Sequence, residues 1–318
     1  MNLRTRGFHH STMVARDSDQ TIQFYRDLLG FRLLHRTANP DDPDTEQLFF
    51  GDAAGTAGKL ITFLEWQSVP RGRWGVGGIH HIAFGTATEA AQLKWKRWLT
   101  DHDVVVSGPY DRGWFKSIYF TDPDRQVLEI ATAGPGYTLD EPLDSLGTTV
   151  QMPRQSQLRG HRDEEAIAAL THAWPVDAID AEMRLDGIHH ITGMTNDVHM
   201  MSEFYEQALG LRLVKKSVNQ DDPATPHWFW ANYDGRQVAP HSSLTMFGWP
   251  TSNYRARPGV GQTHHIAFRA ADVEELHAWH DHLSSMTLEV TPVLRRQYYS
   301  SIFFSAPDGL LIEIATDT

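Results

Sequence analysis

Four adjacent histidine pairs carry most of the chemical content of this chain: His9-His10, His80-His81, His189-His190 and His264-His265. Cysteine is absent, so imidazole and carboxylate are the strong metal-ligand types available. Glu129 follows His81 by 48 residues, and Glu313 follows His265 by the same interval. Side chains alternate between the faces of a strand. In segment 79–84, Ile82 and Phe84 share an apolar face, which puts His81 and Ala83 on the other. In segment 127–131, Leu128 and Ile130 share the apolar face and Glu129 lies opposite. A carboxylate in such a strand is costly to bury unless it is paired or holds a metal. His10 shares a face with Thr12, and His190 with Thr192, so the first strands supply a further imidazole. A lone histidine pair is ordinarily a surface or satisfied core feature. Its recurrence in four strands with an equal glutamate spacing favours coordination. The expected ligands are therefore His10, His81, Glu129, His190, His265 and Glu313. Two imidazoles and one carboxylate form a facial triad with open positions. That set suits non-haem Fe(II) and oxygen chemistry best and Mn(II) next, whereas a closed structural zinc site wants a fourth protein ligand.

The elements that position these groups repeat. The run Phe24-Tyr25 through Leu29-Gly30-Phe31-Arg32-Leu33 matches Phe204-Tyr205 through Leu209-Gly210-Leu211-Arg212-Leu213. Likewise Asn39-Pro40-Asp41-Asp42-Pro43 matches Asn219-Gln220-Asp221-Asp222-Pro223, and Leu128 through Thr132 matches Ile312 through Thr316. The chain reads as a tandem duplication, with halves at 1–150 and 185–318 and a linker at 151–184. Each half divides again into strand, helix and three strands. In the first quarter, helical spacing of Ile22, Tyr25, Leu28 and Leu29 predicts a helix over 19–29 with Gly30 as its stop, followed by strands at 31–36, 48–50 and 60–66. The second quarter predicts strands at 79–84, 104–106, 117–120 and 127–131 around a helix at 89–99. The fold class expected is α+β: four βαβββ modules forming two half-barrels. Segment 142–182 is irregular and reads as a surface linker with a short helix at 164–170. Asn39–Pro43 and its copy read as turns rather than sites, and Trp66, Trp74, Trp114, Trp228 and Trp230 as core. Gly72–Gly78 is a connector between quarters and lacks the strand and Lys-bearing helix of a phosphate loop.

A formal net charge of -12 without a basic patch argues against a nucleic-acid partner. No apolar run is long enough to cross a bilayer, and the residues after Met1 show no signal core. With no cysteine, the expected compartment is the cytoplasm. The expected partners are a small molecule and O2, with homo-oligomerisation open.

Four βαβββ units with His on first strands and Glu on fourth strands resemble the vicinal oxygen chelate superfamily. Within it, the chain is most similar to glyoxalase-like ring-cleaving dioxygenases of the hydroquinone type. Gly187-Ile188-His189-His190-Ile191-Thr192 resembles that family's first metal strand. The runs from Phe115 to Phe120 and from Glu129 to Tyr137 resemble its last module and tail. The resemblance implies that the six ligands group in threes and that a hydroxylated aromatic is the substrate. It implies that His9, His80, His189 and His264 stand behind the ligands or face substrate. It also implies active-site roles for Arg112 and Tyr119, and for Arg296 in the second half, where Phe303 replaces the tyrosine. Family members typically carry one complete triad, whereas all four modules keep their ligands here, as in fused glyoxalases. Triads form either within each half or crossed, His190 with His81 and Glu129, and His10 with His265 and Glu313. The family's joining of first and last modules favours the crossed form. A glyoxalase-like lyase using Zn(II), Ni(II) or Co(II) is the second reading; it wants a carboxylate where Ile61-Thr62 and Leu244-Thr245 stand. A non-catalytic binding protein is the third.

Overall fold

The structure, a computed structural model, describes residues 3–317. The first module contains β1 (Phe8–Ala15), α1 (Ser18–Ile22), β2 (Arg32–Asn39), β3 (Asp42–Gly51) and β4 (Leu60–Glu65). The second contains β5 (Ile79–Thr86), α2 (Glu89–Asp101), β6 (Ser107–Asp111), β7 (Lys116–Thr121) and β8 (Val127–Thr132). After linker helix α3 (Glu164–Ala169) come β9 (Ile188–Thr195), α4 (Val198–Leu209), β10 (Arg212–Val218), β11 (Pro226–Ala231) and β12 (Ser243–Gly248). The fourth module is β13 (Thr263–Ala270), α5 (Val273–Ser285), β14 (Leu294–Arg295), β15 (Ser300–Ser305) and β16 (Leu311–Thr316).

The helices begin where a polar side chain caps the first turn. Thr88 accepts from the Ala91 amide, Asp197 from His199 and Met200, and Asp272 from Glu275. The expected helix over 19–29 is α1 followed by a π-helical turn at Gln23–Leu28. Its wider turn keeps Phe24 and adjacent Tyr25 both inside the core. The strand expected at 104–106 starts instead at Ser107. The chain leaves α2 through Asp103 at φ 61, and pairing to β7 begins only at Ser107↔Tyr119.

The strands form two eight-stranded sheets, each drawing on both halves of the sequence. One runs β14-β15-β16-β13-β1-β4-β3-β2, the other β10-β11-β12-β9-β5-β8-β7-β6. Each joins two modules through one antiparallel seam, β1 to β13 and β5 to β9. The helices pack on the apolar faces through residues such as Trp95, Tyr205 and Trp279, all fully buried. This is the duplicated α+β half-barrel architecture.

Buried carboxylates also make this core pH-sensitive. Asp122, at the β7–β8 turn, accepts from Tyr25 Oη and from the Asp124 and Gln126 amides. Burial pushes its carboxyl up to about 7 from an ordinary 3.8. The folded state therefore holds a proton that the unfolded chain has released, and this contribution fades as pH rises from 3.8 towards 7. Asp122→Asn should flatten the pH dependence of urea unfolding in that window and relieve roughly 2–4 kcal/mol at pH 7.

Candidate metal centre

Register explains how each triad is assembled. On β5, His81 and Ala83 point to the same face. Ala83 pairs laterally with His190 of β9 on one side and Glu129 of β8 on the other. The methyl group of Ala83 thus leaves room between an imidazole and a carboxylate, with His81 two residues away. The other sheet repeats this: Ala267 lies between His10 of β1 and Glu313 of β16, with His265 beside it.

The distances define two compact clusters. His81 Nε2 is 3.0 Å and His190 Nε2 3.4 Å from Glu129 Oε2, and the two Nε2 atoms are 3.4 Å apart. In the second cluster, His10 Nε2 and His265 Nε2 each lie 3.1 Å from Glu313 Oε2. All six side chains are buried, and in each cluster the ligand atoms lie within 4.8 Å of one another. Yet His10 Nε2, His265 Nε2, Glu129 Oε2 and both Glu313 oxygens lack a hydrogen-bond partner of proper geometry. The atoms converge on a shared point rather than on each other. Orphaned buried polar atoms of this kind fit a divalent cation. Burial alone would raise Glu129 and Glu313, but the adjacent imidazoles hold both well below the usual carboxylate range. Desolvation lowers His81 and His265, favouring the neutral imidazole a metal needs.

Each ligand imidazole is backed by the histidine before it. The Nδ1···Nδ1 separations are 2.7 Å for His9 and His10 and 2.8 Å for the other three pairs. With Nε2 as the ligand atom, the inner Nδ1 carries the hydrogen and donates it outward, which orients the ring. Burial lowers the outer imidazoles of His9, His80 and His189 to about 3, so they stay neutral acceptors. Ser117 Oγ donates to Glu129 Oε1 at 2.5 Å. Its sequence twin, Ser301, is buried at the same strand position, but its Oγ has no hydrogen-bond partner among the described residues.

Each cluster reaches an aromatic-lined cavity of about 290 Å³, one through His81 and His190 and the other through His265. The His81 cavity brings in Arg112 and Tyr119, with Arg112 Nη2 donating to the tyrosine oxygen at 3.0 Å. The His265 cavity brings in Arg296 and Phe303. His80 and His264 line these cavities. His189 and His9 do not: His189 faces a separate space of about 890 Å³ behind Phe115, and His9 is buried against Tyr299.

Several lining groups escaped the reading of the sequence. His227 sits in the His81 cavity, its Nε2 2.9 Å from Thr245 Oγ1. The duplication hides it, because its counterpart is Gln47. The turns at Asn39–Asp41 and Asn219–Asp221 are turns, but they also wall the cavities. Trp114 is both packed and cavity-lining, and Pro153 brings the linker to the same cavity. Tyrosine is exchanged between the sites. Phe115 packs on His190 and Tyr119 on His81, whereas Tyr299 packs on His10 and Phe303 on His265.

Known proteins share this architecture. The Glyoxalase/Bleomycin resistance protein/Dioxygenase superfamily matches residues 7–130 and 187–314. The chlorohydroquinone/hydroquinone 1,2-dioxygenase of Sphingobium indicum is 31% identical over 318 residues, covering 98% of this chain and 85% of that protein. The Bacillus subtilis (strain 168) protein named "Putative ring-cleaving dioxygenase MhqA" is 26% identical over 317 residues, covering 99% and 88%. Glyoxalase I from Zea mays shares the fold, with a TM-score of 0.63 at 15% identity over 98% of this chain and 92% of that one. Both halves of the sequence therefore belong, as does the chain as a whole, to the Glyoxalase/Bleomycin resistance protein/Dioxygenase superfamily.

Proposed function

We propose that the protein is a non-haem Fe(II)-dependent dioxygenase that cleaves the ring of a hydroxylated aromatic of the hydroquinone or catechol type. The observation that carries this reading is the pair of buried two-histidine, one-glutamate clusters, which reach aromatic-lined cavities through His81, His190 and His265 and gather no fourth ligand among the described residues. The names of the full-length relatives support it. His81, His190 and Glu129 would hold one ion, and His10, His265 and Glu313 the other. The bound metal supplies Lewis acidity and open positions at which two reactants meet.

The chain's own groups supply positioning and proton handling. Phe229, Phe247 and Trp114 offer apolar surface for a ring. Tyr119 is half-buried, and desolvation raises its hydroxyl above its ordinary value, so it remains protonated. Its oxygen accepts from Arg112, which leaves its hydrogen free to donate into the cavity. Burial, with His190 and His81 nearby, lowers His227 well below the usual histidine range, leaving a neutral imidazole that can hydrogen-bond and orient a ring hydroxyl. His227→Gln, which copies Gln47 of the other site, should lower kcat of the His81 site about tenfold by removing that orienting contact. Metal content should be unchanged; loss of the metal instead would make His227 a scaffold residue.

The second reading, a glyoxalase-like lyase, wants a carboxylate on the fourth strand. Thr62 and Thr245 stand there, each bonded to a threonine of the first strand, Thr12 at 2.6 Å and Thr192 at 2.8 Å. The test is oxygen consumption. Protein loaded anaerobically with Fe(II) should take up O2 with a catechol or a hydroquinone, and a chelator should abolish it. No uptake by iron-loaded protein across a panel of both classes would overturn the assignment.

A further inference from the structure

We propose that the two cavities take hydroxylated aromatics of different charge: the His81 cavity one that bears a carboxylate, the His265 cavity an uncharged one. This rests on the aromatic reading above and deepens it. Arg112 lines the His81 cavity, and its polar partners are neutral: Gln220 Oε1 at 2.7 Å and the Tyr119 oxygen at 3.0 Å. The neighbouring carboxylates are engaged elsewhere. Glu129 belongs to the triad, Asp111 pairs with Arg154 at 2.8 Å, and Asp221 pairs with Arg162 at 2.7 Å. Glu129 and Asp221 act on Arg112 through space, but among the described residues no carboxylate touches it. A bound carboxylate would meet this half-buried guanidinium directly, with charge-assisted, bidentate hydrogen bonds.

The His265 cavity is built otherwise. Arg296 Nη1 donates to Asp41 Oδ1 at 2.9 Å, so its charge is already met at the mouth. Asp41 and Asp221 are the same position of the duplicated turn. They differ in partner because Arg162 comes from the linker, which the chain contains once. Arg162 also stacks over Tyr110 at 4.3 Å, a wall of the same cavity. Asp221 thus makes its direct ion pair with the linker's Arg162 and acts on Arg112 only through space, whereas among the described residues Asp41 pairs with Arg296 alone. Arg162 is a positioning residue for the charge of the His81 cavity.

The test is binding to the full-length protein loaded with redox-inert Zn(II), read by calorimetry with 2,5-dihydroxybenzoate and hydroquinone. His265→Ala with Glu313→Gln isolates the His81 cavity; His81→Ala with Glu129→Gln isolates the other. The His81 cavity should hold the benzoate about tenfold more tightly than hydroquinone, and the His265 cavity should show no such preference. Arg112→Met should abolish the preference while hydroquinone still binds. Arg162→Ala should reduce it by freeing Asp221, and Asp41→Asn, a surface change, should create it in the His265 cavity. An equal ratio in both cavities, or a ratio unmoved by Arg112→Met and Arg162→Ala, overturns the charge assignment while leaving the aromatic reading intact. Failure of both compounds to bind either cavity overturns the two together.

Discussion

Glu129→Ala should remove one of two metal ions per chain, Glu313→Ala the other, and the double variant both, as counted by elemental analysis after saturation with Fe(II). The carboxylate is the only anionic member of each cluster. Without it, two neutral imidazoles must hold a dication in a buried site, where an uncompensated charge is most expensive. Turnover at the altered site should fall on the order of 10³-fold, since a Lewis-acid metal contributes several kcal/mol and each 1.36 kcal/mol is a factor of ten. Circular dichroism should show the fold retained, because Ala83, Ala267 and the seam strands are untouched. A Glu129→Ala protein that keeps both ions would show that the cluster is not a ligand set. Comparing the single variants also measures how turnover is divided between the sites.

The largest stability loss expected from one substitution away from the clusters is Lys215→Met. Lys215 lies on β10 with its side chain fully buried, its Nζ 2.5 Å from Asp140 Oδ1 and 2.5 Å from Glu141 Oε2. Glu141 is itself buried and also accepts from Thr149 Oγ1 at 3.1 Å. Burial would raise the Glu141 carboxyl, and Lys215 holds it below its ordinary value. Methionine fills the same volume and leaves that carboxylate without its cation. Breaking a buried ion pair from one side costs about 3–5 kcal/mol, which urea denaturation would read directly. Lys215→Met with Glu141→Gln should recover part of the loss, since the orphaned charge is then gone. The same lysine lies 5.2 Å from the Trp114 ring, which lines the His81 cavity. Ligand binding there should weaken together with stability. A Lys215→Met protein within 1 kcal/mol of the parent would mean that water reaches this pair.

What could be read from the sequence and what could not divide along the range of the forces involved. The six residues of the clusters were legible because strand alternation is local. Ile82 and Phe84 commit one face of β5 to the core, so His81 and Ala83 take the other, and Leu128 and Ile130 do the same for Glu129. The duplication made these positions visible twice. The turn at Asn219–Asp221 was legible as a turn for the same reason, since the Asn219 side chain accepts from the Asp221 amide at 2.8 Å within the loop itself.

Which modules share a sheet is decided by the seams β1–β13 and β5–β9, whose partners lie far apart in the chain. Backbone pairing of this kind carries no residue code, so the sequence admitted within-half and crossed triads alike. The same holds for Gln220 on Arg112, for His227 opposite the triad and for Arg162 on Asp221. Each depends on where a loop or linker comes to rest after the sheets have closed. The sequence alone settled which side chains face the apolar core and which face the histidine–glutamate clusters, through the twofold period of the strand. Only the tertiary structure decided which modules meet and how each guanidinium is paired, because those outcomes follow from long-range packing.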